Sequence, residues 1–122
     1  MVKTIMIIDD SVSLRQVVAI ALTSAGYEVI EACDGQDALA KLTGRKVHLM
    51  ICDVNMPNLD GIGFLLALRQ LPERKFTPVI MLTTEAGEGR KRQGQAAGAR
   101  AWVVKPFKPE QLLAAVAKLV LP

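Results

Sequence analysis

TIMIIDD, residues 4–10, is a short apolar run that ends in a pair of aspartates. Two further apolar runs, Val47–Cys52 and Val79–Leu82, have the same form, and a polar residue follows each of them. Runs that are this short and apolar at nearly every position are typical of strands buried on both faces of a parallel sheet. The sequence therefore predicts three central strands with polar side chains at their carboxyl ends.

Two weaker strand candidates complete the pattern. Glu28 and Glu31 interrupt the run Tyr27–Ala32, and Ala101–Val104 is short, so both suit the edges of a sheet. Helical patterns, with apolar residues three or four positions apart, lie between the strands. The alternation predicts an α/β fold in one domain over residues 1–122. We expect a doubly wound five-stranded parallel sheet with five helices and the flavodoxin-like strand order 2-1-3-4-5.

The helical segment between the fourth and fifth strands has an unusual composition. It contains Gly87, Gly89 and Gly94 and has no large apolar residue. An interior glycine costs a helix about 1 kcal/mol relative to alanine. We therefore expect this helix to be loosely held.

Charge and hydropathy exclude several functional classes. The formal net charge of +3 is too small to indicate nucleic-acid binding. One basic cluster, Arg90, Lys91 and Arg92, has no aromatic residue among its charges, so it suits a solvated helix face or a docking surface for an acidic partner. No segment approaches the roughly 20 apolar residues of a membrane span, and the first apolar run is too short for an export signal. We expect a cytoplasmic protein without membrane insertion.

Three further residues are expected to be structural. Without a secretory context, Cys33 and Cys52 are predicted to be free thiols that pack as small buried apolar groups. His48 precedes the third strand, at the opposite end of the sheet from the aspartates, so it is expected to support the fold.

The carboxyl ends of parallel strands meet at one edge of a sheet, where such folds bind ligands. Here that edge collects Asp9, Asp10, Asp53, Thr83 and Lys105. Two carboxylates 4 Å apart repel one another by about 1–4 kcal/mol, depending on the effective dielectric. A Mg²⁺ ion would offset this repulsion, since it prefers oxygen ligands. The charges of the three aspartates, the lysine and one Mg²⁺ sum to zero.

A phosphoryl group on Asp53 would change this balance. It would remove one carboxylate charge and add about two negative charges on strong hydrogen-bond acceptors. Lys105 could pair with those oxygens as a point charge, and the Thr83 hydroxyl could donate to them. The pattern therefore predicts a switch in which strand-end groups are drawn toward the new charge.

Four segments carry a family resemblance. They are Ile8–Ser11, Cys52–Gly61, Met81–Glu85 and Val104–Phe107. Together they resemble the receiver domains of response regulators in two-component systems. The resemblance covers essentially the whole chain, and without an attached output domain it is closest to the stand-alone chemotaxis type, CheY.

The resemblance implies a role for each strand-end residue. Asp53 would accept the phosphoryl group from the phosphohistidine of a sensor histidine kinase, a chemotaxis kinase in this type. Asp10, Asp53 and the backbone carbonyl of Asn55 would bind Mg²⁺ directly, and Asp9 would act through a water. Thr83 and Lys105 would bind the phosphoryl group. The Asn55 and Glu85 side chains would tune self-catalysed dephosphorylation, and the Lys105–Pro106 bond is a candidate for the cis form.

The resemblance also implies an output face on the fourth helix, the fifth strand and the fifth helix, which would include Arg90, Lys91, Arg92 and Trp102. Relatives usually have Tyr or Phe where this chain has Trp102, and their ring turns inward on activation. The larger indole leaves open whether it turns in the same way. The implied partners, beyond the kinase, are a flagellar motor switch protein and a phosphatase. A phosphate sink or a phosphorelay intermediate is the alternative role.

Two other classes fit parts of the pattern. A haloacid dehalogenase-type phosphohydrolase also uses an aspartate nucleophile, but its second motif aspartate corresponds here to Asn55, which has no dissociable proton. A flavin-binding module would need a phosphate loop after the first strand, where Asp9 and Asp10 would repel a phosphate. We therefore expect a phosphoacceptor that is not an enzyme, apart from catalysing its own phosphorylation and dephosphorylation.

Overall fold

The computed structural model describes residues 2–54, 56, 59–84 and 88–120. Strands and helices alternate along this part of the chain, as predicted. The strands are β1 (Thr4–Ile8), β2 (Glu28–Ala32), β3 (Leu49–Asp53), β4 (Val79–Thr83) and β5 (Ala101–Val104). The helices are α1 (Val12–Ser24), α2 (Gly35–Leu42), α3 (Gly61–Arg69), α4 (Glu88–Ala96) and α5 (Pro109–Leu119), with a 3₁₀ turn at Pro72–Arg74.

The sheet is parallel and has the predicted strand order β2-β1-β3-β4-β5. The edge positions of β2 and β5 match their weaker apolar patterns. Every residue of β3 and β4 is buried, which explains why these runs lack the polar alternation of a half-exposed strand. The register pairs Ile8 with Cys52 and Asp53 with Leu82, so the ends of β1, β3 and β4 lie side by side.

Side-chain caps fix where three helices begin. Ser11, Asp34 and Asp60 each accept a hydrogen bond from a backbone N–H in the first turn of α1, α2 and α3, respectively. Such caps satisfy donors that have no partner within the helix. At the other end of α1, Gly26 has a φ of 97°, a left-handed conformation that glycine commonly adopts just past a helix. The caps at Asp34 and Asp60 place the first residues of α2 and α3 at Gly35 and Gly61.

The sheet separates two apolar layers. One contains Val18 and Leu22 of α1 with Leu112 and Val116 of α5. The other contains residues of α2 and α3, together with Ala97 after α4. Among the described residues, no helix has both the length and the apolar character needed to cross a bilayer.

The two cysteines differ from one another. Both are free thiols, and Cys52 is buried in β3 as predicted. The prediction that Cys33 is buried is wrong. It is exposed because β2 ends at Ala32, so that Cys33 lies in the turn that leads into α2, where its N–H donates to Asp37 at 3.0 Å.

Polar side chains at the amino end of the sheet bind backbone groups. The Thr4 N–H donates to His48 Nδ1 at 2.9 Å, which confirms a structural contact for this histidine. Arg74 is buried and donates to the carbonyls of Leu42 and Arg45, at and just beyond the end of α2. Arg69 donates to four carbonyls, those of Arg74, Thr77, Ala97 and Gly98. These contacts hold the carboxyl ends of α2, α3 and α4 together.

Candidate functional site

Three aspartates meet at the carboxyl end of the sheet. Asp9 follows β1 directly, Asp10 comes next, and Asp53 is the last residue of β3. One carboxylate oxygen from each lies within 4.8 Å of the others. Asp9 and Asp53 are buried, whereas Asp10 is exposed. The structure therefore brings together the three carboxylates that were predicted to meet at the strand ends.

Lys105 lies against this cluster. Its Nζ is 3.0 Å from Asp9 Oδ2 and 3.4 Å from Asp53 Oδ2. Burial by itself lowers the pKa of Lys105, but the hydrogen bonds and charges of the two aspartates outweigh burial and raise the pKa above its usual value. The lysine is therefore charged, and one cation faces three carboxylates. The net charge of these four groups is −2, which leaves room for a divalent cation.

Backbone contacts position the first aspartate and the lysine. The Ser11 N–H donates to Asp9 Oδ1 at 2.8 Å, so one carboxylate oxygen is held by the start of α1 while the other meets Lys105. The Lys105 N–H donates to the Thr83 carbonyl at 2.7 Å. Thr83 is fully buried at the end of β4. The last residue of β4 and the residue that follows β5 are thus connected through one backbone hydrogen bond, and the Lys105–Pro106 bond is cis, as predicted.

Gly61 supports the backbone of Asp53. A Cβ at this position would overlap the Asp53 carbonyl oxygen and would lie 2.8 Å from Val54 Cα. The Gly61 N–H also donates to the Val54 carbonyl at 2.9 Å. The start of α3 therefore packs directly on the end of β3, and this requires glycine. We did not predict this contact, although a glycine beside a helix-capping aspartate could have indicated it.

Trp102 lies away from the carboxylates. Neighbouring residues of a strand point to opposite faces, and Trp102 accordingly packs against the layer that carries α2 and α3, whereas Val103 packs against the layer of α1 and α5. The indole is half-buried, and its Nε1 is fully buried. Trp102 is therefore not a fully exposed surface residue.

Several predicted residues fall elsewhere. Asn55 and Glu85 lie outside the described residues, as do the side chains of Arg90 and Lys91. Arg92 is exposed on α4. Sequence reasoning did not single out Arg15, whose Nη1 donates to the Asp9 carbonyl at 2.6 Å while its Nε pairs with Glu31. No periodic or motif signal marks this contact, because its acceptor is a backbone carbonyl.

Comparison with known proteins identifies the family. A family model described as the response regulator receiver domain matches residues 5–117. The chain belongs to this family. It is thus the receiver domain of a two-component response regulator, and its sheet order is that of the CheY fold.

Relatives of two kinds are similar to the chain. The phosphate regulon transcriptional regulatory protein PhoB of Pseudomonas aeruginosa is 39% identical over 112 residues, which cover 92% of this chain and 49% of PhoB. The chain therefore spans about half the length of that regulator. Protein PilG of the same organism is 38% identical over 112 residues, 92% of this chain and 83% of PilG. Among solved structures, chemotaxis protein CheY4 of Vibrio cholerae has a TM-score of 0.94 and 44% identity, covering 98% of this chain and 99% of CheY4.

Proposed function

We propose that Asp53 accepts a phosphoryl group from the phosphohistidine of a sensor histidine kinase, with Mg²⁺, and that the chain thereby switches its output face. The observation that carries this proposal is the contact of Lys105 Nζ with both Asp9 and Asp53. A charged lysine beside the acceptor carboxylate can pair with the oxygens of an incoming phosphoryl group. Of the three clustered aspartates, Asp53 alone ends a strand, and its backbone is held by the start of α3.

The donor set fits a hard divalent cation. Three carboxylate oxygens within 4.8 Å of one another, one of them on an exposed residue, suit Mg²⁺, which keeps several waters and takes one or two carboxylates. Asp10 and Asp53 would bind the ion directly, together with the Asn55 carbonyl, and Asp9 would act through a water. The ion would neutralise charge on the acceptor and on the incoming phosphoryl group.

The switch follows from the change of charge. The phosphoryl oxygens attract the Lys105 ammonium and the Thr83 hydroxyl. Since the Lys105 N–H already donates to the Thr83 carbonyl, movement of either residue acts on the carboxyl ends of both β4 and β5. Those strands lead into and out of α4, so the α4–β5–α5 surface would respond. Asn55 and Glu85 would tune the lifetime of the phosphoryl group.

Chemotaxis-type signalling is the role we favour within the family. Chemotaxis protein CheY4 of Vibrio cholerae is 44% identical to this chain, compared with 39% for PhoB over 112 residues. A chemotaxis kinase would be the donor, and a flagellar motor switch protein and a phosphatase would be partners. A phosphate sink or relay remains the alternative role. A pull-down of motor-switch components with and without beryllofluoride, which mimics a phosphoryl group on Asp53, separates the two.

The test of the acceptor uses acetyl phosphate and Mg²⁺, with intact-mass spectrometry as the measurement. An Asp53 carboxylate oxygen would bond to phosphorus as the phosphorus–oxygen bond to acetate breaks, so the protein should gain one phosphoryl group. Asp53→Asn should gain none. Asp60→Asn is the matched control, because asparagine caps a helix about as well as aspartate. If Asp53→Asn is labelled as fully as the wild type, the assignment is wrong.

A further inference from the structure

Gly94 and Trp102 make an unusually close contact between α4 and β5. A Cβ on Gly94 would lie 2.5 Å from Cζ3 of the indole, 3.2 Å from Cε3 and 3.5 Å from Cη2. Gly94 is buried within the helix. A side chain cannot occupy that space while the indole is there, because carbon atoms in contact are normally about 3.5–4.0 Å apart. The glycine that weakens α4 therefore also makes room for the tryptophan.

The opposite edge of the same indole carries an N–H donor that has no acceptor among the described residues. Trp102 Nε1 is fully buried and has no hydrogen-bond partner among the described residues. A buried indole N–H usually has an acceptor, because burying an unpaired donor is unfavourable. In the structure, one edge of the ring is thus in contact with the helix backbone, and the other edge carries a donor without an acceptor.

Register connects this ring to the candidate site. Trp102 of β5 pairs with Met81 of β4, which lies two residues before Thr83, and it lies three residues before Lys105, the first residue after β5. Thr83 and Lys105 are themselves joined by a backbone hydrogen bond. A displacement at the strand ends therefore has a short, packed route to the indole.

We propose that the space left by the missing side chain of Gly94 holds the indole of Trp102, and we call this contact the seat. We further propose that the indole and α4 move together when Asp53 is phosphorylated, which brings an acceptor to Nε1. The six-membered ring already touches the helix backbone, so it cannot turn further beneath α4 without displacing the helix. The resemblance implied a ring that turns inward on activation, whereas this contact would make ring and helix move together. The coupling rests on the proposed function, but the seat itself can be tested without phosphorylation.

The first experiment is a double-mutant cycle between Gly94→Ala and Trp102→Phe in the unphosphorylated protein. Alanine favours a helix over glycine, so Gly94→Ala should raise the urea midpoint when residue 102 is phenylalanine, which lacks the fused ring. In the presence of Trp102 the same change should lower the midpoint, by about 0.5 M. The indole should also become more accessible, with emission shifted to the red and stronger iodide quenching. Gln93→Ala, at an exposed position of the same helix, is the control and should give similar shifts in both backgrounds.

An equal shift of the urea midpoint by Gly94→Ala in the Trp102 and Phe backgrounds would contradict the proposed seat. So would unchanged emission and quenching in a folded Gly94→Ala protein. If Gly94→Ala folds only together with Trp102→Phe, the steric conflict is demonstrated by that rescue.

The second experiment tests the coupling in the wild-type protein. With one tryptophan in the chain, the indole N–H gives one signal in a ¹H–¹⁵N spectrum. Adding Mg²⁺ and beryllofluoride should move the indole proton downfield and slow its exchange with solvent, because Nε1 gains an acceptor. Binding of beryllofluoride is followed separately by ¹⁹F spectra. An unchanged indole signal in protein that binds the mimic would overturn the coupling and leave the seat. A protein that does not bind the mimic would overturn the proposed function and the coupling with it.

Discussion

At the carboxyl end of the sheet, three carboxylates face a single lysine; at the amino end, two arginines bind backbone carbonyls. Neither Arg69 nor Arg74 has a carboxylate within ion-pair distance in the described part of the chain. At the amino end the donors are satisfied by acceptors that belong to the fold. At the carboxyl end, three carboxylates face one lysine, so these four groups carry an excess of negative charge that would favour a divalent cation. The difference shows that paired donors and acceptors and an excess of charge lie at opposite ends of the same strands.

The largest effect is expected at the amino end. Arg74→Met keeps much of the buried side-chain volume but removes the donors to the Leu42 and Arg45 carbonyls. Leaving buried acceptors unpaired should lower the free energy of unfolding by about 3 kcal/mol. Urea unfolding measures the change. Arg45→Met is the matched control, since that side chain is exposed, and it should change stability by less than about 0.5 kcal/mol. Equal losses in the two variants would show that the carbonyl contacts do not matter.

A smaller loss is expected when the lysine at the carboxyl end is removed. Lys105→Met leaves Asp9 and Asp53 without their shared cation, and in metal-free buffer it should cost about 2 kcal/mol, less than for a fully buried pair because the lysine is partly exposed. Mg²⁺ should recover part of the loss by replacing the missing charge. Lys118→Met, an exposed change on α5, is the control. A Lys105→Met protein as stable as that control would contradict the contrast between the two ends.

Removal of one negative charge should act in the opposite direction. Asp10→Asn reduces repulsion among the three carboxylates, so without metal it should raise the free energy of unfolding by about 1 kcal/mol. The same change should weaken Mg²⁺ binding, because the ion loses an anionic ligand. Thermal unfolding with and without Mg²⁺ measures both effects. Lower stability than wild type in the absence of metal would show that repulsion at this end is already relieved.

The smallest effect concerns pH and the amino end. Burial lowers the pKa of His48, and the Thr4 N–H donates to its Nδ1, which must therefore be unprotonated. The unfolded chain takes up a proton more readily than the folded one, so this residue removes stability as pH falls through its usual pKa. His48→Gln should reduce the loss of stability between about pH 7.5 and about pH 5.5. Parallel unfolding curves for the two proteins over that range would contradict the assignment.

The sequence predicted the carboxyl end of the sheet better than the amino end. Asp9, Asp53 and Thr83 were located because each follows or ends an apolar run, and the strand order brings such ends together. The contacts of Arg69 and Arg74 were missed, since their acceptors are backbone carbonyls, which every residue carries.

Glycine shows a second limit of the sequence. In the pattern, Gly94 counted as a weak point of a helix, and its proximity to Trp102 depends on how two elements pack. The starts of α2 and α3 could have been placed from the sequence, because Asp34 and Asp60 are good helix caps. The exposure of Cys33 could not, because it depends on where the pairing of β2 stops.

The tight fit of Gly61 against Asp53 has a consequence for protein engineering. In a library that places every amino acid at each glycine, positions 26 and 44 are restricted by their positive φ angles and have open space, so asparagine and aspartate should also survive there. Position 61 is restricted by volume instead, because any side chain would collide with the backbone of β3. Selection for a folded chain alone, with no demand for signalling, should therefore return glycine at position 61. Receiver domains that are stable but inactive should therefore carry their substitutions at positions other than this glycine.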